Sequence, residues 1–373
     1  MESNLAELTD SLVKTYLGYR GGGFVIISDN STTDIADSVY ESAQKLKTRV
    51  EKRIRMINFD HWRNGAPLTY MPDGMRAALE SGLDWADKDY NLVLSLKRSL
   101  DGEMPVMKEI MDLAESRGKM GGLPYCTLDV LEAAFNSQNN PDFGKELFDF
   151  ISREECVSLT GENGTNLLVD INHKRFTTIN SDGILIPGVY ANPIPGEVYL
   201  HPENVNGTFV IDSSYGPLMG FGPFVGNYQA LAATLAKHPI IWTIKQGKIT
   251  DVACEDEQVQ QFARREIFEK DAKQNGDRIG ELGLPTNLYI LGRGITGNML
   301  IDEKGRVHLA HGYGYTKRTG CDYESNVHGD GLINKANLFA MKLGKQFMVD
   351  SVYSPDVFVS LRRGLTPHPQ HEL

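Results

Sequence analysis

Residues 21–60 read GGGFVIISDNSTTDIADSVYESAQKLKTRVEKRIRMINFD and predict a strand, a helix and a second strand. The apolar run at 21–29 is bounded by glycines and an aspartate, which is typical of a buried strand. Apolar residues recur with helical spacing over 33–50, and strand character returns at 53–60. Two strands joined by a helix predict a parallel βαβ unit.

The same alternation continues through the N-terminal part of the chain. MRAALESGLDWAD (75–87) and MPVMKEIMDLAES (104–116) have helical periodicity, and DYNLVLSL (89–96) between them reads as a strand. FGKELFDFISR (143–153) is a further helical stretch that can close this part of the chain. Strands that alternate with helices predict a parallel, doubly wound α/β domain, which we assign to residues 1–155.

The pattern changes after residue 155. CVSLTGENGTNLLVDINHKRFTTINSDGILI (156–186) has short alternating runs separated by Asn-Gly and Asp-Gly, which indicates antiparallel hairpins. One helix, over 258–276, interrupts this texture, and NMLIDEKGRVHL (298–309) reads as strand, turn and strand. Residues 156–373 are therefore predicted to form a strand-rich α+β domain.

Composition excludes several classes of function. The 373 residues include 38 Lys and Arg against 49 Asp and Glu, and a net charge of -11 argues against nucleic-acid binding and against an anionic membrane surface. Four scattered cysteines without a Cys-x-x-Cys motif argue against finger-type zinc and a disulfide framework. There is no apolar run of about 18 residues, and the N-terminal stretch reads as an amphipathic helix, so we expect a cytoplasmic protein.

Five residues form a candidate metal site. His328 and Asp330 are two positions apart, and in extended backbone such residues face the same side of a strand. Glu197 and Glu281 lie in apolar stretches where a lone carboxylate is costly to bury, and His308 lies near the His328 segment. These ligand types suit two divalent ions such as Zn²⁺, Co²⁺ or Mn²⁺. The alternative from the residues alone is a solvated, histidine-rich surface loop.

The segments around these residues also carry a family resemblance. NPIPGEVYLHP, GELGLPTN, IDEKGRVHLAHGYGY and NVHGD occur in this order and together resemble the M29 (thermophilic, or T-type) metallo-aminopeptidases over about residues 160–335. The resemblance implies that two divalent metals are held by five residues, and that Tyr315 lies beside them as a catalytic residue. The five implied ligands are Glu197, Glu281, His308, His328 and Asp330.

The chain departs from the family pattern near the ligands. Arg306 and Val307 stand where the family has Gly-Thr, Pro285 follows Glu281, and the short loop before His328 carries His311. Strand alternation from His308 puts His311 on the opposite face, so we expect it not to share the metal site. It is then either a surface residue or a residue of a folded-over substrate pocket.

The predicted function is a dinuclear metallohydrolase, an aminopeptidase acting on small peptides or a related amidase. Glu281 is either a ligand or the general base, and Tyr315 donates a hydrogen bond to the oxyanion. Family members are dimers, so the resemblance implies a homodimer. One alternative is a mononuclear Fe²⁺ ring-cleaving dioxygenase of the dihydroxypyridine type, using His308, His328 and Asp330; those enzymes have a histidine in place of Glu281. The other is a catalytically silent homologue.

Overall fold

The computed structural model describes residues 2–98, 100, 103–124, 126–135, 141–216, 228–291, 294–340 and 345–350. The strands are β1 (Gly22–Ser28), β2 (Lys52–Asn58), β3 (Leu92–Ser95), β4 (Lys119–Gly122), β5 (Cys156–Thr160), β6 (Asn166–Asp170), β7 (Ile179–Ser181), β8 (Tyr190–Ala191), β9 (Glu197–Leu200), β10 (Asn204–Ile211), β11 (Ser214–Gly216), β12 (Ile240–Lys245), β13 (Lys248–Ala253), β14 (Ile279–Pro285), β15 (His308–Gly312), β16 (His328–Leu332), β17 (Lys335–Ala340) and β18 (Lys345–Asp350).

The helices are α1 (Glu2–Ser11), α2 (Thr33–Lys45), α3 (Asp60–Arg63), α4 (Asp73–Gly82), α5 (Met104–Arg117), α6 (Leu128–Phe135), α7 (Pro141–Ile151), α8 (Tyr228–Leu235), α9 (Glu257–Phe268), α10 (Leu288–Leu291), α11 (Met299–Asp302) and α12 (Thr316–Thr319). A π-helical turn covers Leu12–Tyr16, and 3₁₀ turns cover Lys88–Tyr90 and Glu303–Gly305. Within the described residues, no helix combines the length and the apolar character needed to cross a bilayer.

The chain forms two compact units. The first comprises Met1–Ser137 and Asp182–Pro195, and the second comprises Gln138–Ser181 and Gly196–Leu373. Each unit is therefore made of two separate segments of the chain. The sequence analysis instead predicts a single boundary between residues 155 and 156. That boundary between two independently folding domains stays a prediction.

The first unit contains a five-stranded parallel sheet in the order β2-β1-β3-β4-β8. All seven residues of β1 are buried, which explains its uninterrupted apolar sequence, since the central strands of parallel sheets are covered on both faces. The connection to β2 runs one way along the sheet and the next returns past β1 to β3, so right-handed crossovers put helices on both faces. The predicted doubly wound α/β fold is confirmed.

A charged cluster fills the carboxyl-terminal edge of this sheet, where open α/β sheets commonly bind ligands. Arg63 donates from Nε and Nη2 to the two carboxylate oxygens of Glu103 at 2.7 and 2.8 Å, and Lys97 Nζ lies 3.0 Å from the same group. Burial alone would raise the pKa of Glu103, but these cations lower it to about 2. The protein's own side chains therefore occupy the edge between the ends of β1 and β3.

The second unit contains two largely antiparallel sheets. The seven-stranded sheet has the order β13-β12-β10-β6-β5-β17-β18, and the six-stranded sheet has the order β11-β16-β15-β14-β9-β7. Apolar side chains of both sheets form one core, which includes Phe209 and Trp242 from the first sheet and Leu282 and Leu309 from the second. The predicted strand-rich α+β part of the chain is confirmed.

One local prediction is wrong. The segment at 298–302 was predicted to be a strand, but the structure has the helical turn α11 there. The Asn298 side chain accepts a hydrogen bond from Leu300 N at 3.1 Å, and Asp302 accepts bonds from the Thr296 and Gly297 backbone. These side chains satisfy the ends of a short turn, so local hydrogen bonding overrides the alternating apolar pattern.

His311 lies in the core on the opposite face of β15 from His308, as strand alternation predicts. Both proposed roles for it are wrong, because the ring is buried away from solvent and away from the site face. Its Nδ1 donates to Gly276 O at 2.8 Å, and its Nε2 accepts from Tyr215 Oη at 2.9 Å. His311 is thus a neutral core histidine with both nitrogens hydrogen-bonded.

His311 should make folding stability depend on pH. Burial is the main cause that lowers its pKa to about 4, whereas an unfolded histidine titrates near 6.5. As pH falls from 6.5, the unfolded chain takes up a proton that the folded chain does not, so stability decreases. We expect His311 to contribute a loss of roughly 1–2 kcal/mol between pH 6.5 and 5, measured by urea unfolding as the difference in pH dependence between the unmodified chain and His311→Gln. His311→Gln should remove most of this loss; an unchanged pH dependence in that variant would contradict the assignment.

Candidate metal centre

The five predicted ligands lie on four neighbouring strands of the six-stranded sheet. Glu197 begins β9, Glu281 is on β14, His308 begins β15, and His328 and Asp330 are on β16. Strand order therefore places every ligand-bearing strand beside another one. The structure brings together residues that are up to 133 positions apart in sequence.

The register puts all five side chains on one face of the sheet. Glu281 pairs with Ala310, and Ala310 pairs with Asp330, so the two acids flank the same small residue. Directly paired residues point to the same side, and so do residues two apart on one strand. By the same counting, His308 and His328 share this face, and so does Glu197, which pairs with Pro285. We call this side of the sheet the site face.

A glycine makes room for one of the imidazoles. Gly283 pairs with His308, and a Cβ built on Gly283 would lie 2.0 Å from His308 Nε2. The imidazole ring therefore lies directly over the backbone of β14. No larger residue fits under the ring, so Gly283 fixes the path of His308 across the sheet toward the acids.

Backbone contacts orient both histidines in the same way. His308 Nδ1 lies 3.1 Å from Arg306 O, and His328 Nδ1 lies 2.7 Å from Tyr313 O. Because a carbonyl oxygen only accepts, each Nδ1 carries the proton and donates. In the neutral ring Nε2 then presents its lone pair to the site, which is how metal-binding histidines are usually held.

The Nε2 atoms face carboxylate oxygens at distances suited to an ion between them. His308 Nε2 lies 3.6 Å from Glu197 Oε2 and 3.7 Å from Glu281 Oε1. His328 Nε2 lies 3.6 Å from Glu281 Oε2 and 3.4 Å from Asp330 Oδ1. Thus each oxygen of Glu281 faces a different histidine.

Three buried carboxylate oxygens of the five predicted ligands have no hydrogen-bond partner among the described residues: Glu197 Oε2 and both oxygens of Asp330. Leaving such atoms unpaired is costly unless a cation meets them. Glu197, Glu281 and His308 each offer one ligand atom within 4.8 Å of the others, and so do Glu281, His328 and Asp330. The donor set and the unpaired oxygens fit a divalent metal cofactor, and Glu281 is common to both groups.

The pKa values of the site residues also indicate that the carboxylates of the site face attract positive charge. Burial alone would lower the pKa of both histidines, but the surrounding carboxylates raise it to about 10 for His308 and about 9 for His328. Burial raises the pKa of Glu281, whereas the charge of His328 holds that of Asp330 low despite its burial. Protons or metal cations can supply the positive charge that these carboxylates attract.

Two further charged residues lie at the site and were missed by sequence reasoning. Lys304 and Glu303 are buried in the 3₁₀ turn before β15, and Lys304 Nζ donates to Glu197 Oε1 and lies 2.7 Å from Glu303 Oε1. One oxygen each of Glu303 and Asp330 and one nitrogen of His308 lie within 4.8 Å of one another. Burial raises the pKa of Glu303 to about 8. The position of Glu303 and Lys304 just before His308 is a sequence signal that they belong to the site. The pattern over 298–309, however, predicts a strand and a turn there.

Tyr315 lies beside the predicted ligands. Its Oη is 3.4 Å from His328 Nε2, and its ring centroid is 5.1 Å from that of His328. The backbone of Tyr315 is left-handed, with φ 55°, a conformation that non-glycine residues rarely adopt. Burial raises the pKa of its hydroxyl well above the usual value, so the group remains a hydrogen-bond donor. The ring of Tyr313 packs on that of Tyr315, with their centroids 5.3 Å apart.

A separate group of potential ligands lies elsewhere in the second unit. His201, Cys321 and Asp322 each offer one ligand atom there, and these atoms lie within 4.8 Å of one another. The Asp322 carboxylate is exposed and forms an ion pair with Arg175, and His201 Nδ1 contacts Gly280 O at 2.9 Å. These groups already have protein partners, which distinguishes them from the unpaired oxygens on the site face.

Several solved structures are similar to this chain, and two of them match nearly its full length. Wild-type AmpT from Thermus thermophilus superposes with a TM-score of 0.61 at 15% identity, covering 93% of this chain and 97% of that one. The 2,5-dihydroxypyridine dioxygenase from Pseudomonas putida gives 0.61 at 16% identity, covering 91% and 94%. The sequence matches no protein-family model and no curated protein. At these identities the likeness establishes the fold alone.

Removing the Lys304 ammonium should destabilise the protein. Lys304→Met leaves Glu197 and Glu303 buried without their cation, and breaking a buried pair in this way costs about 3–5 kcal/mol. Urea unfolding of chelator-treated protein measures the loss. Adding Glu197→Gln to Lys304→Met should recover part of it, because the carboxylate to which Lys304 donates is then replaced by a neutral amide.

The matched control is Lys45→Met, which removes a lysine from an exposed pair with Glu41. Surface pairs contribute roughly 0–1 kcal/mol, so this variant should unfold almost like the unmodified chain. Equal stability of the Lys304 and Lys45 variants would show that the buried contacts of Lys304 do not support the site.

Proposed function

We propose that the protein is a metallohydrolase that uses two divalent ions, Zn²⁺, Co²⁺ or Mn²⁺, to release N-terminal residues from small peptides or to cleave a related amide. The observation that carries the proposal is the arrangement of Glu281. One of its oxygens lies 3.7 Å from His308 Nε2, and the other lies 3.6 Å from His328 Nε2. A carboxylate held between two imidazoles in this way suits a ligand that bridges two ions.

Each ion would have three protein ligands. Glu197, Glu281 and His308 would hold one, and Glu281, His328 and Asp330 would hold the other. When bound, such ions lower the pKa of a water molecule to near neutrality and polarise the carbonyl of an amide. The ligands leave open coordination positions, because each group offers only three side chains, as catalytic metal sites require.

The bridging arrangement favours Glu281 as a ligand over its other proposed role. A carboxylate with each oxygen directed at a different ion has no free oxygen with which to accept a proton from water. Glu281 would therefore set the separation of the two ions, and another group or the solvent would take the proton. This assignment follows from the same two distances that support the dinuclear site.

Tyr315 would stabilise the oxyanion that forms when an amide carbonyl is attacked. Its hydroxyl lies within 3.4 Å of His328 Nε2 and keeps its proton, since burial raises its pKa well above the usual value. A fixed donor beside the reacting carbonyl lowers the barrier because it is already oriented before charge develops. The left-handed backbone at Tyr315 is the kind of strain that is retained at functional positions.

The full-length likeness to AmpT, a T-type M29 aminopeptidase, supports this proposal at the level of fold. The dioxygenase neighbour has the same TM-score, so the fold does not choose between the two chemistries. A single Fe²⁺ centre would take His308, His328 and Asp330 together. Among the described residues, none of the compact ligand groups contains both histidines, which favours two ions over one.

Ligand substitutions test the metal site directly. Glu197→Gln, His328→Ala and Asp330→Asn should each reduce bound metal by at least one equivalent per chain and abolish peptide hydrolysis. Elemental analysis after dialysis gives the metal count, and release of free amino acids gives the activity. The matched control is His238→Ala, which removes a partly exposed histidine 2.9 Å from Glu255. If Asp330→Asn keeps its metal and its activity, the proposed ligand set is wrong.

A second measurement separates the hydrolase from the dioxygenase. Protein loaded with Zn²⁺ or Mn²⁺ should hydrolyse short peptides without consuming oxygen. Protein loaded with Fe²⁺ should not consume oxygen in the presence of 2,5-dihydroxypyridine. Oxygen uptake at an electrode, dependent on Fe²⁺ and on that compound, would favour the mononuclear alternative; no reaction in either assay would favour a silent homologue.

We also propose that the protein is a cytoplasmic homodimer. The seven-stranded sheet ends in β13 and β18, and sheet edges gain protection when a second chain or element covers them. Light scattering at micromolar concentration should give twice the chain mass of 41.5 kDa. A mass of one chain would remove the dimer from the proposal.

A further inference from the structure

Arg318 is a cation at the site face with no role in the metal-binding arrangement. It lies on α12, the helical turn that follows Tyr315, and its guanidinium carbon is 5.5 Å from the centroid of the Tyr199 ring. Tyr199 is two residues after Glu197 on β9 and pairs with Gly283, so it also belongs to the site face. Arg318 therefore lies over a ring that is part of the same surface as the predicted ligands.

The aromatic side chains connect Arg318 to the candidate centre. The centroids of Tyr199 and Tyr315 are 5.6 Å apart, and the Tyr315 ring is 5.1 Å from that of His328. Tyr199 is buried, whereas Arg318 keeps part of its surface in contact with solvent. The rings of Tyr199 and Tyr315 thus form a continuous series of contacts from His328 to the guanidinium.

The donors of this guanidinium have no protein acceptor among the residues that the structure describes. Within the described part of the chain, no side chain forms an ion pair or a hydrogen bond with the Arg318 head group. This contrasts with Arg175, which pairs with Glu203 and Asp322, and with Arg63, which pairs with Glu103. An arginine stacked on an aromatic ring is held in place while its planar fork stays available, and that fork matches a carboxylate.

We infer that Arg318 binds the free carboxylate of the substrate, which makes the substrate class a di- or tripeptide. The inference rests on the proposed hydrolase function. An extended residue spans at most about 3.6 Å, so the carboxylate of a peptide that ends one or two residues after the cleaved bond can reach a group just beyond Tyr315. Longer peptides would have to carry their chain past the guanidinium, and they would lose this contact.

The test compares a dipeptide with the same dipeptide in which a neutral amide replaces the C-terminal carboxylate. Alanyl-alanine and alanyl-alaninamide differ only at the C-terminal group, so their ratio of kcat/KM isolates recognition of the carboxylate. The unmodified enzyme should prefer the acid, and Arg318→Met should lower kcat/KM for the acid by about 10- to 100-fold, the range for a hydrogen bond to a charged group. Hydrolysis of the amide should change by less than about twofold, and Arg318→Lys should restore part of the preference.

Lys317→Met is the matched control, because it removes one positive charge from the same helical turn and should leave the preference intact. An equal loss for acid and amide in Arg318→Met would mean that the side chain only supports α12, and would overturn the inference. Unchanged kinetics in that variant would overturn it as well.

Calorimetric titration with alanyl-alanine separates this inference from the proposed function. If the unmodified protein hydrolyses neither peptide, the hydrolase proposal fails. Tighter binding of alanyl-alanine to the unmodified protein than to Arg318→Met would then still support the carboxylate site. Equal binding to both would overturn it. Should Arg318→Met fail to fold, Arg318→Lys takes its place, because a shorter head group without the planar fork weakens the acid selectively.

Discussion

Four carboxylates share one buried face of the six-stranded sheet, and their mutual repulsion is the constraint on which the site depends. Glu197, Glu281, Glu303 and Asp330 are all buried, and a cluster of like charges in a low dielectric persists only when cations or protons offset it. The ammonium of Lys304 offsets part of this negative charge. The negative charge that remains raises the pKa values of His308 and His328. The same face that holds protons so firmly without metal is therefore suited to exchanging them for divalent ions.

The pleat of the sheet separates this polar chemistry from the hydrophobic core. His308 and His311 are three residues apart on β15, yet their environments are opposite. The first faces carboxylates, which raise its pKa to about 10, and the second lies among Tyr215 and Trp242, where burial lowers its pKa to about 4. A shift of register by one residue would exchange the two faces, so core packing behind the sheet also fixes the position of the ligands in front of it.

Sequence reasoning found what depends on local pattern. The run at 22–28 and the hairpins after residue 155 follow from burial and turn chemistry, and His328 with Asp330 follows from the two-residue period of a strand. Glu303 and Lys304 were missed because side chains on a 3₁₀ turn have no such period, and their role arises only where the turn before β15 contacts the start of β9. The surface interpretation of His311 failed for a related reason: its two hydrogen-bond partners, Tyr215 and Gly276, are far from it in sequence.

Glu281 on β14 links the geometry of this fold to its proposed chemistry. AmpT and the dioxygenase superpose on this chain with the same TM-score, so the likeness of the backbones does not by itself determine the chemistry. A centre with two histidines and one carboxylate needs both imidazoles on a single ion. Here Glu281 lies between His308 and His328 and directs one oxygen to each, so in the proposed site the two imidazoles would bind separate ions. A neutral side chain at that position would remove both the charge and the bridge. In the proposed site, the choice between one ion and two thus depends on the single buried acid Glu281. The small neighbouring residues Gly283 and Ala310 leave room for its side chain.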